Sequence, residues 1–130
     1  MKYLLPLPTL LISMLLYIAL ASTGPLDRIV SDFSAPSGAI TAITASEMII
    51  LLSVPLFVVE MWKSTSITNV GMVDHMLSLL VAVVAGFAYL TAPAFGTSTF
   101  LILVAMQFAD VAAGVIVSIR AARRDFGIEA

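Results

Sequence analysis

The sequence predicts an all-α, polytopic membrane protein. It is read as a single domain, residues 1–130, folded as a bundle of four transmembrane helices with the N-terminus and C-terminus both cytoplasmic. Three observations predict this. Of the 130 residues, 61% are hydrophobic and 11% charged, with a mean hydropathy of +1.12. A soluble domain carries about 25% charged residues, so this surface is built to face lipid. The apolar residues fall into four runs, each near the roughly 20 residues that carry a helix across a bilayer. Finally, Lys and Arg gather on one side of the four-span chain, which the positive-inside rule places in the cytoplasm.

The first span covers about 4–22. With Lys2 and the Ala19-Leu20-Ala21 triplet before Ser22, it has the look of a secretory leader. A retained span fits better: Leu10–Leu20 is long for a leader's apolar region, and Pro6 and Pro8 suit a first turn whose amides lack helical partners. Thr23-Gly24-Pro25 breaks the run, and "PLDRIVSDFSAPSG" reads as a polar loop. The second span, about 40–62, ends at Trp62 and Lys63, an amphipathic ring and a snorkelling cation at an interface, and Pro55 inside it is expected to kink it. "STSITN" leads into the third span, about 70–91. "TAPAFGTST" then turns tightly into the fourth, about 99–120, whose basic end "RAARRDFG" complements a helix C-terminus. The runs are continuous rather than alternating, which excludes barrel strands.

Orientation rests on Lys2, Lys63, Arg120, Arg123 and Arg124 on one side against Arg28 alone on the other. A cleaved leader would leave three spans facing the same way. The third span carries a stripe of His75, Ser78, Ala82, Gly86 and Tyr89, and the fourth carries Ala105, Ala109 and Ala113 with Gly114 on its flank. Small residues let helices approach closely in lipid, so these two spans are expected to form an antiparallel hairpin.

The ionisable residues carry what functional information there is, because a charge at mid-membrane costs about 2.5–3.5 kcal/mol on insertion scales. Asp110 lies ten residues before Arg120, or ~15 Å along a helix, close to the midplane. Gln107 shares part of its face. Asp110 reads either as a protonated hydrogen-bonding residue between helices or as a cation or proton site. Glu47 has two readings as well. In Thr44-x-x-Glu47 it completes a capping box at the outer interface; if the helix begins at Ser37, it is a buried acid. Glu60, Asp74 and Arg120 form a cytoplasmic electrostatic cluster, with Glu60 pairing Lys63 or Arg120. His75 points inward as a satisfied interior histidine or a proton carrier. Together Glu47 in the outer half, Asp110 in the middle and His75 with Asp74 and Glu60 inside outline a candidate ladder across the membrane.

No cysteine is present, which removes disulfides, iron–sulfur clusters and thiol chemistry. No HExxH, GxSxG or Walker loop occurs, no cofactor or metal site is indicated, and a net charge of −2 without a basic stripe argues against nucleic acid. The first expectation is a small non-catalytic protein of the bacterial inner membrane. It would contact lipid and act through helix–helix association, as a homo-oligomer or an accessory subunit. The alternative is a proton- or cation-conducting channel or transporter centred on Asp110.

Overall fold

The computed structural model describes residues 7–64 and 69–126. Lys2, the first residues of span one, the 65–68 connection and Gly127 lie outside the described residues. Four helices are present: α1 (Leu10–Thr23), α2 (Ala45–Ser64), α3 (Asn69–Thr91) and α4 (Ser98–Phe126). Three of them are long and apolar enough to cross a membrane, and α1 is a shorter apolar helix of 14 residues. The chain is therefore a multi-span helical membrane protein.

Two helix starts differ from the sequence expectation, and α4 runs past residue 120 to Phe126. The first helix begins at Leu10, because Pro8 has no amide hydrogen to give a helix and Thr9 takes the N-cap position. The second begins at Ala45 rather than 40. Residues read as loop and helix start instead form an antiparallel hairpin, β1 (Ile29–Ser34) paired with β2 (Ile40–Thr44). β-Branched residues favour the pleated surface. Gly38, at φ 84°, supplies the left-handed turn, where Ala35 N–H donates to Ala39 O at 2.8 Å. A two-stranded ribbon is marginal alone, and this one is fastened to α2: Ala45 and Ser46 amides donate to Arg28 and Leu26 carbonyls, both at 2.9 Å.

Going round the bundle, the helices follow the order α1, α2, α4, α3. α4 packs broadly on α2 and α3, α1 packs on α2 and more lightly on α4, and the α1–α3 edge is open. That edge holds an apolar cleft of about 440 Å³, flanked by Leu11, Met14 and Ile18 on one side and Val81 and Ala85 on the other, with Phe100 at its floor. The apolar core lies toward the hairpin end, around Met14, Tyr17, Ile49, Ala85, Phe100, Leu103 and Val104. Tyr17 stacks with Phe100 at 5.0 Å between ring centres, and its hydroxyl meets Thr97 Oγ1 at 2.8 Å. This ties α1 to the 3₁₀ turn Pro93–Phe95 that joins α3 to α4.

Small residues act where the sequence places them on α3 and differently on α4. Ala82 and Ser78 are fully buried. Ala105 and Ala109, however, face outward. The buried face of α4 is instead Thr99, Phe100, Leu103, Gln107, Asp110 and Gly114, at steps of one, three and four. Asp110 and Gln107 hydrate poorly in hydrocarbon, so their face turns inward and the alanines turn out.

Candidate functional site

At the end of the bundle opposite the hairpin, polar side chains replace the apolar core. Glu60, Asp74, Asp110, Gln107, Ser13, Ser53 and Ser78 are all buried. Each sits on the inward face of its helix, and together they draw on all four helices.

The outermost layer is an ion network. Lys63 Nζ donates to Asp74 Oδ1 at 3.0 Å, to Glu60 Oε1 at 3.3 Å and to the Leu7 carbonyl at 2.8 Å. Glu60 Oε2 in turn accepts from both the amide and the hydroxyl of Thr9, and that hydroxyl also reaches Leu56 O at 3.0 Å. A carboxylate is thus set against the first amides of α1, where the partial positive charge of a helix terminus favours it. The partner of Glu60 is Lys63 and not Arg120, whose side chain is exposed. Lys63, expected from the sequence to snorkel at an interface, is held by two acids, Glu60 and Asp74.

One turn deeper lies Asp110. Its carboxylate is fully buried, and neither oxygen has a hydrogen-bond partner among the described residues. Ser78, Glu60, His75 and Asp74 are its polar and charged neighbours. The Ser78 hydroxyl, on α3, is the side chain placed to hydrogen-bond it. Gln107 spends its amide on the Ser78 carbonyl, at 3.2 Å, and its own carbonyl oxygen is left unpartnered. His75 packs against α4 so closely that a Cβ built on Gly114 would fall 1.0 Å from Nε2. The imidazole therefore occupies the space a side chain at 114 would need, and its Nε2 also lacks a partner among the described residues.

Glu47 stands apart. Its carboxylate accepts from the Thr44 amide and hydroxyl at 2.8 and 2.9 Å, and its amide bonds Thr44 Oγ1 at 3.3 Å. This closes the capping box at the hairpin end of α2. Thirteen residues separate it from Glu60, or ~20 Å of helix. The ladder expected from sequence loses its outer rung, and the buried-acid reading of Glu47 is set aside.

The structure thus brings Asp110, Gln107 and His75 into one polar core with Glu60 and Asp74, and leaves Glu47 and Arg120 outside it. Sequence reasoning asked which way Ser13 and Tyr17 face, and both are buried, but it passed over Thr9. Thr9 had a signal, since Pro-Thr before an apolar run marks a helix start, but the acid it binds lies fifty-one positions away. Compared with known protein families, curated proteins and solved structures, the chain matches none. Fold and site define it as a helical membrane protein with a buried, acid-rich core.

Proposed function

We propose that the protein translocates protons or small cations, as a channel or transporter with Asp110 at its centre. The observation that carries this is the charge balance of the polar core. Three buried carboxylates, Glu60, Asp74 and Asp110, face the single ammonium of Lys63. Lys63 serves the first two through direct contacts, and no salt bridge among the described residues reaches Asp110, whose basic neighbour is His75. A buried ion is tolerated only when paired, so Asp110 has to take up a proton or a cation to sit where it does. Structural glue is the rival reading, since Ser78 on the neighbouring α3 is placed to hydrogen-bond the Asp110 carboxylate. The Glu60–Lys63–Asp74 layer then forms the mouth of the path. The bias of Lys and Arg puts this mouth on the cytoplasmic side, with the hairpin outside and both termini inside. A bacterial inner membrane is the matching location, and no catalytic role is assigned.

Purified protein in proteoliposomes tests the proposal, with proton flux read by an internal pH dye and sodium flux by a radiotracer. Asp110→Asn is isosteric and uncharged and is expected to abolish flux. Flux unchanged by that substitution would reject an ion path through Asp110.

A second element of the proposal is self-association. Four helices whose polar core is filled by side chains leave little room for a pore, and Ala105-x-x-x-Ala109 lies on the outward face of α4. Small residues at this spacing let a second helix approach. The expected assembly is a homo-oligomer in which α4 meets its copy.

A further inference from the structure

Taking Asp110 as the centre of ion passage, we infer that the site is built for a hard monovalent metal cation of the sodium class. Its ligands are Asp110 Oδ1 and Oδ2, Gln107 Oε1, Ser78 Oγ and Ser13 Oγ. These side chains are almost completely buried, and each of these oxygens lacks a hydrogen-bond partner among the described residues.

Register brings the oxygens to one level. Gln107 and Asp110 are three apart on α4 and share a face. Gln107 Nε2 is bonded to the Ser78 carbonyl, which fixes α3 at that height. Ser78 is four residues inward of Asp74, as Ser13 is four inward of Thr9. Thr9 and Asp74 belong to the same Glu60–Lys63 layer. One helical turn is ~5.4 Å, so Ser78 and Ser13 each lie about one turn inward of the ion layer, on α3 and α1.

Proton binding satisfies only part of this group. A proton on Asp110 makes one donor, and the remaining oxygens still have no partner. The Ser78 hydroxyl is placed to bond Asp110, which still leaves Gln107 Oε1 and Ser13 Oγ without a partner among the described residues. Hard cations take oxygen ligands, and all five atoms here are oxygens. The single carboxylate sets the valence. One positive charge neutralises Asp110, whereas a divalent ion would bring an uncompensated charge into a low-dielectric core. Among the described residues no group of three His, Cys, Asp or Glu could hold a transition metal. Glu60 and Lys63 on α2, with Asp74 and His75 on α3, are the charged and titratable groups around the site.

The test uses the purified full-length protein in detergent at fixed pH. Sodium chloride replaces choline chloride at constant ionic strength, and unfolding temperature and radiotracer sodium binding are both read. Wild type is expected to show a saturable sodium-dependent rise in Tm. Asp110→Asn is expected to lose it. Ser78→Ala, which keeps the carboxylate and the fold, is expected to weaken apparent affinity roughly 10- to 100-fold, the scale of losing one partner at a metal site. No sodium-dependent rise, or the same rise in D110N, overturns the inference. If sodium has no effect but an Asp110-dependent proton flux remains in proteoliposomes, the sodium assignment falls and ion passage through Asp110 stands. If neither flux depends on Asp110, both fall.

Discussion

Gly114 lacks a side chain where another residue's ring already sits. With His75 Nε2 at the position of its missing Cβ, Gly114→Ala forces the imidazole out of the core. Overpacking of this kind costs about 1–3 kcal/mol. Adding His75→Ala removes the clash, so the double variant is expected to be more stable than G114A alone. Unfolding midpoints of the four proteins measure the coupling, and simple additivity of the two single effects would refute the close packing. Asp110 makes a contrasting case. A buried charge without a paired partner carries a desolvation penalty that an apolar side chain of similar size does not. Asp110→Leu is therefore expected to unfold at a higher temperature than wild type in sodium-free buffer while carrying no ion. A less stable D110L would mean that the carboxylate holds the helices together. The burial of Asp110 was legible in the sequence, as the one acid deep in an apolar run. Its surroundings were not, because the contacts joining Gln107 to Ser78, or Glu60 to Thr9, span 29 and 51 positions.

Elements were legible where one period governs a long run. The bounds of α3 and the start of α4 follow their apolar runs closely, and Thr44-x-x-Glu47 does mark the start of α2. The hairpin was harder to see. "RIVSDFS" and "AITAIT" are rich in β-branched residues on either side of Pro36-Ser37-Gly38, a strand–turn–strand signal, but the apolar tone of the second segment merged it with the helix that follows. The inward face of α4 was also misjudged, since a regular alanine stripe is a stronger visual pattern than the sparser polar stripe that is actually buried. Two element-scale predictions follow from the caps and the ion layer. Thr44→Ala deletes the capping box and is expected to destabilise by about 0.5–2 kcal/mol, with flux per folded molecule unchanged, because Glu47 lies ~20 Å of helix from Glu60; a loss of flux would restore Glu47 to the path. Lys63→Met leaves Glu60 and Asp74 buried without a counter-ion at the junction of α1, α2 and α3. Breaking such a pair costs about 3–5 kcal/mol. The expected result is a large fall in Tm, and a Tm within error of wild type would show the bridge to be dispensable.

The whole molecule combines a greasy outer surface with an acid-rich interior, and the two demand different environments. Large apolar side chains such as Trp62, Leu90 and Ile40 are more than 70% exposed, which only lipid or a partner subunit can accommodate. If α4 meets its copy through Ala105 and Ala109, enlarging both to Leu separates the subunits. The detergent-solubilised mass of A105L/A109L is expected to drop to that of one chain, and an unchanged assembly would move the interface elsewhere.

The brevity of α1 reaches beyond the protein into the bilayer. Its 14 residues rise only ~21 Å, whereas a hydrocarbon core is about 30 Å thick. Its neighbours are long enough to span, so the molecule presents an uneven hydrophobic height to the surrounding acyl chains. Along the open α1–α3 edge, the lipid has to thin or the polar entry at Thr9 has to sit below the headgroups. Each ångström of hydrophobic mismatch costs a fraction of a kcal/mol. If α1 crosses the bilayer, the depth at which water meets the Glu60–Lys63–Asp74 layer depends partly on the length of the lipids beside it.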